Sequence, residues 1–152
     1  MVCLGTGQDR HKIGLDIMGK KSRDKGAAFE RWLCNEIDEH LGFKPKRNLS
    51  QYQTKGQSDI IIPGFAIEAK AYAKGYTHRK DWWVQACEQS GDLEPVLVYK
   101  YDYQEPRAVL SLSVISKEYD YTDMVCTVSL PDLFYIIREK LAEQGLGEAK
   151  KI

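Results

Sequence analysis

The 152-residue sequence predicts an α/β domain, a central mixed β-sheet flanked by helices. Three observations predict it. Apolar residues recur at helical spacing early in the chain (Phe29, Leu33, Ile37, Leu41) and again near its end (Leu133, Phe134, Ile137, Leu141). Between them lie short runs rich in Ile, Val and Tyr, bounded by Gly and Pro. A helical segment interrupts those runs, so helices must cover a sheet containing more than hairpin connections.

In chain order, Met1 to Gly19 is Gly-rich and aperiodic, and is expected to be a flexible extension ahead of a single domain over 20–145, with a frayed tail at 146–152. Ser22 is the expected N-cap of a helix reaching Leu41 and closed by Gly42. Phe43 to Leu49 is expected to form a first strand with a basic outer face, and Ser50 to Gln57 a polar loop. Ile60-Ile61-Ile62 and Phe65 to Lys70 read as two strands joined by Pro63-Gly64. A helix over about His78 to Ser90 ends at Gly91 and carries adjacent tryptophans, Trp82 and Trp83, which cannot share one direction. One is expected in the core and the other partly exposed. Val96 to Tyr103 predicts a strand with Tyr99, Tyr101 and Tyr103 on one face, followed by strands at Arg107 to Ile115 and Met124 to Val128. Pro131 starts the last helix, through about Gln144.

The 22 basic and 22 acidic residues cancel, so net charge selects no partner. Their distribution is more informative: from Lys20 to Lys55 nine cations face five acids, whereas the region after Gly91 is mostly acidic. A basic flank ahead of an acidic cluster suits a phosphate-bearing ligand that must also meet metal ions. The four cysteines are scattered without zinc-site spacing, and no Ser or Cys nucleophile is paired with a His base. No run approaches membrane-spanning length, no secretory leader is evident, and a reducing cytoplasm is expected.

The chemistry concentrates between Asp59 and Lys70. Side chains alternate along a strand, so Glu68 and Lys70 share one face while Ala69 joins Ile67 and Ala71 on the other. If the two strands pair, Asp59 approaches them, and two carboxylates and an ammonium converge. Such oxygen donors suit Mg²⁺, and a bound cation can acidify a water for phosphodiester hydrolysis. Glu30 falls within the apolar stripe of the first helix, and a carboxylate there needs a partner: either a core-edge Arg or Lys, or a metal shared with Asp59 and Glu68. Loop residues such as Ser50, Lys55 and Gln57 are candidate phosphate or base contacts.

At these residues the chain resembles the PD-(D/E)xK nucleases: Asp59 and Glu68-Ala69-Lys70 fit the motif, with Ser58 in place of its Pro. Lys25-Gly26-Ala27-Ala28-Phe29-Glu30-Arg31 further resembles the K-G-x-x-x-E-R start of archaeal-type Holliday-junction resolvases, and the similarity continues to Ile115. The resemblance implies a restriction-endonuclease-like fold, with phage-borne members among those it points to, and a homodimeric Mg²⁺-dependent endonuclease, with Mn²⁺ able to substitute, that nicks four-way DNA junctions in pairs. It further implies Glu30, Asp59, Glu68 and the Ala69 backbone carbonyl as metal ligands, Lys70 as the catalytic lysine and Ser50 near the scissile phosphate. Lys20, Lys21, Arg23, Lys25, Arg31, Arg47, Lys55 and Gln57 would contact DNA, and no organic cofactor is expected. The alternatives are a nuclease of the same fold acting on linear, flapped or single-stranded DNA, and a DNA-binding module without turnover. Intact acids and lysine disfavour the module.

Overall fold

The structure, a computed structural model, describes residues 6–45, 47, 58–120 and 123–145, with side chains from Lys20 onward. Helix α1 (Thr6–Leu41) is followed by strands β1 (Ile60–Ile62) and β2 (Phe65–Tyr72), helix α2 (Lys80–Gln89), strands β3 (Glu94–Tyr101), β4 (Arg107–Ser111) and β5 (Val125–Ser129), and helix α3 (Leu130–Glu143). The five strands form one mixed sheet in sequence order, antiparallel except where β2 and β3 run parallel. That parallel pair needs a crossover, and α2 supplies it.

Each face of the sheet has its own core. Phe29, Leu33 and Ile37 of α1 and Leu133, Phe134, Ile137 and Leu141 of α3 pack on the inward side chains of β1, β2, β3 and β4, among them Ile60, Ile67, Val96, Val98 and Leu110. On the opposite face Trp82 and Ala86 of α2 pack on Leu97, Tyr99, Tyr101 and Val109. Trp82 is the buried member of the tryptophan pair, stacked 4.9 Å from Tyr72, while Trp83 is half-buried at the margin. The strict alternation along β2 and β3 therefore sends successive residues to two different helices.

The turns follow the sequence closely. Gly64 takes a positive φ of 84° after Pro63, as a type II turn requires, and fixes the β1–β2 register Ile60 with Ile67, Ile61 with Ala66 and Ile62 with Phe65. Gly42, at φ 74°, closes α1 and donates its N–H to the Asp38 carbonyl at 3.0 Å. Ser129 caps α3, its hydroxyl accepting from the Asp132 N–H.

Four expectations are corrected. Ser22 does not begin α1: the helix continues upstream to Thr6, because Lys20, Lys21, Arg23 and Lys25 around Ser22 are good helix formers. Phe43 to Pro45 is not a strand, since Pro45 has no N–H to offer a ladder; Arg47 alone forms a bridge, antiparallel to Ile60, and 46, 48 and 49 lie outside the described residues. β3 ends at Tyr101, so Tyr103 leaves the face shared by Tyr99 and Tyr101 and sits in a turn with φ 63°. β4 stops at Ser111, where a 3₁₀ turn at Leu112–Val114 takes over. Among the described residues no helix is long and apolar enough to cross a membrane.

Candidate active site

Glu68 and Lys70 lie in the second half of β2 on the face covered by α2, while Ile67, Ala69 and Ala71 turn toward α1 and α3. Asp59 immediately precedes β1. Extending the antiparallel register by one residue sets it opposite Glu68, past the last paired residue of the ladder. There its Oδ2 accepts the Ala69 N–H at 2.8 Å, so a side-chain carboxylate replaces the backbone carbonyl that a longer β1 would have provided. The N–H and C=O of one strand residue point to the same neighbour, so the Ala69 carbonyl is also directed to this side of β2.

The cluster is tied together by Gln85 of α2. Gln85 accepts from Lys70 Nζ at 2.9 Å and donates from Nε2 to Glu68 Oε1 at 3.2 Å. Lys70 Nζ is itself 3.6 Å from Glu68 Oε1. One amide thus holds acid and amine in fixed relation. Its position one turn beyond the buried Trp82 is the signal that could have identified it. Ser58, standing where the motif has Pro, is buried and donates its hydroxyl to the Gln89 carbonyl, which fastens the end of α2 beside Asp59.

Burial dominates the electrostatics. Glu68 is 4 % exposed, and burial first, then the neighbouring Asp59 carboxylate, pushes its pKa up from 4.5 to about 8 against the opposing pull of Lys70. Its Oε2 is buried and receives no hydrogen bond from any described residue. Two buried carboxylates with an unsatisfied oxygen need a positive occupant, either a proton or a cation. The donor set fits a hard divalent ion: carboxylate oxygens of Asp59 and Glu68 and the adjacent Ala69 carbonyl.

Glu30 is buried on α1, and Arg47 donates to its Oε2 at 2.9 Å. Because Arg47 also bridges Ile60, this ion pair lies beside the residue that follows Asp59. Arg47 is therefore engaged with protein, as is Lys25, which donates to both oxygens of Asp102 at 2.9 and 2.7 Å. Lys20, Lys21, Arg23 and Arg31 are exposed on α1. Ser50, Lys55 and Gln57 lie outside the described residues. A different group of possible ligands, half-buried Glu36 with exposed Glu39 and His40, gathers near the end of α1, where Glu36 pairs with His40 at 3.2 Å in ordinary i,i+4 fashion.

No curated protein and no solved structure matches the chain. A family model, described as phage putative PDDEXK endonuclease, matches residues 21–133, a span that holds Glu30, Asp59, Glu68, Lys70, Gln85 and all five strands. With most of the chain matched and the acids and lysine of the motif converging on one side of β2, the protein belongs to this family of PDDEXK endonucleases.

Proposed function

We propose that the protein is a divalent-metal-dependent DNA endonuclease, using Mg²⁺ and accepting Mn²⁺, that acts as a homodimer to resolve four-way junctions by paired nicks. The observation that carries the metal dependence is the buried Glu68 Oε2, without a donor among the described residues, beside Asp59. Asp59, Glu68 and the Ala69 carbonyl would hold the cation, with Glu30 contributing if it parts from Arg47. When bound, such an ion stabilises charge on the phosphate and acidifies a water. Lys70, held by Gln85 beside Glu68, orients that water and offsets charge developing on the phosphate oxygens. The exposed cations Lys20, Lys21, Arg23 and Arg31 supply salt-sensitive contacts to DNA backbone, joined by Lys25, Arg47, Lys55 and Gln57 once DNA is engaged. Ser50 would approach the scissile phosphate. The resemblance of Lys25 to Arg31, of the hairpin and of β3 to junction resolvases supports the four-way junction as substrate.

The test is cleavage of a four-way junction and of a linear duplex of the same sequences, with Mg²⁺ and with EDTA. Symmetric paired nicks in the junction, abolished by EDTA and reduced at least about 100-fold in Glu68→Ala, are expected. Equal cutting of the linear duplex would overturn junction specificity, and undiminished cutting in EDTA would overturn the metal site.

A further inference from the structure

Beyond the acidic cluster, β2 and β3 run side by side to a shared end at Tyr72 and Tyr101, and two loops leave from there. The loop after β2 presents Tyr76, 70 % exposed, and the turn after β3 presents Tyr103, 104 % exposed. Exposure of a single aromatic side chain is ordinary. The anchoring of the two loops that carry them is not. Gln104 Nε2 donates to the Gly75 carbonyl at 2.7 Å, and Arg107 donates from Nη1 to the Tyr76 carbonyl at 2.6 Å and from Nη2 to Gln104 Oε1 at 3.2 Å. The Tyr101 hydroxyl donates to the Thr77 carbonyl at 2.6 Å, and Gly75 lies so close to the Tyr101 ring that a Cβ there would overlap it. The loop backbones are thus locked to each other while both rings point to solvent. The Arg107 guanidinium stacks 4.5 Å from the Tyr76 ring centroid, and Tyr103 is held in a left-handed conformation that costs a non-glycine residue about 1 kcal/mol or more.

Charge and position favour a nucleic acid as the occupant. The two segments 72–81 and 99–107 carry Lys74, Arg79, Lys80, Lys100 and Arg107 against Asp81, Asp102 and Glu105. They lie on the extension of the strand that carries Glu68. Tyr72, at the base of the first loop, is four residues along β2 from Glu68, a rise of about 13 Å, which is about four nucleotide steps at duplex spacing. We propose that Tyr76 and Tyr103, on loops locked together by Gln104 and Arg107, form a stacking platform for unpaired bases of the DNA strand that enters the Glu68–Lys70 site. Stacking suits it because every base has a π-face, and the loop backbones that carry the two rings are already tied down. The platform gives the enzyme a reason to prefer distorted or branched DNA, whose bases unstack, over regular duplex.

This inference rests on the nuclease reading, and the experiment separates the two. Full-length wild type, Tyr76→Ala, Tyr103→Ala, the double variant and Tyr103→Phe are titrated in EDTA against a duplex with a short single-stranded gap containing 2-aminopurine, and against the intact duplex. Wild type is expected to change the 2-aminopurine emission on binding. Each alanine variant weakens gapped-DNA binding by about tenfold and the double variant by more, whereas Tyr103→Phe and all intact-duplex affinities remain near wild type. Unchanged gapped-DNA affinity in the double variant, or equal losses on gapped and intact DNA, would overturn the platform even if wild type cuts DNA with Mg²⁺. Wild type that neither binds nor cuts any DNA would overturn both readings.

Discussion

At the scale of single residues, Glu68 is where structure and chemistry compete. A carboxyl raised to about 8 keeps its proton in the folded protein when the unfolded chain has already released it. The folded state therefore binds more protons between pH 4.5 and about 8, and stability falls as pH rises through that window. Glu68→Gln is expected to melt near the wild-type temperature at pH 5 and above it at pH 8.5, both in EDTA and followed by circular dichroism; an equal offset at both pH values would show that Glu68 titrates as an exposed acid. In wild type, Mg²⁺ should recover the deficit at pH 8.5 by taking the place of the proton. Asp59 has a double duty of another kind, since removing its side chain also strands the Ala69 N–H. Asn is thus a cleaner replacement than Ala at that position. Asp59, Glu68 and Lys70 were legible from the sequence because a two-residue Pro-Gly turn fixes the register, and register fixes which side chains meet. Gln85 was not, because its place one turn beyond Trp82 is its one trace, and an amide adds nothing to a hydropathy pattern.

Among the elements, the β1–β2 hairpin, α2 and α3 lie close to their sequence-predicted bounds, whereas Phe43 to Pro45 does not pair as a strand. The difference is physical: alternation and helical stripes report burial, but a strand also needs N–H groups in sequence, and Pro45 removes one. Tyr103 shows the same limit, since its left-handed backbone breaks an alternation that the side chains alone would continue. The loop between β2 and α2 depends on one small residue. Gly75→Ala would press a methyl group into the Tyr101 ring, and is expected to cost about 1–3 kcal/mol, read as a lower urea midpoint with unchanged slope. A midpoint equal to that of wild type would mean that Tyr101 can yield, and with it the hold on Thr77.

For the whole molecule, the three-layer arrangement leaves α1 exposed along its basic flank at Lys20, Lys21, Arg23 and Arg31, while α2 closes the opposite side of the sheet over Glu68 and Lys70. Each chain carries a single Asp59–Glu68–Lys70 cluster, so paired nicks need two copies. Sizing chromatography coupled to light scattering is expected to report a mass twice 17.4 kDa, and dilution to the point where that species dissociates should convert paired nicks into single ones. A monomer that still makes simultaneous paired nicks would contradict this arrangement.

The amide of Gln85 belongs to the crossover that makes β2 and β3 parallel neighbours, and this has a consequence for how the enzyme comes into being. Asp59, Glu68, Lys70 and Gln85 all fall within residues 59–85, a stretch emerging from the ribosome with its chemistry nearly complete. What it lacks is β3, the strand that the crossover exists to reach. The acidic pair should therefore gain its buried, proton-holding character late, when β3 docks and seals the sheet, so that an incomplete chain presents ordinary solvated acids.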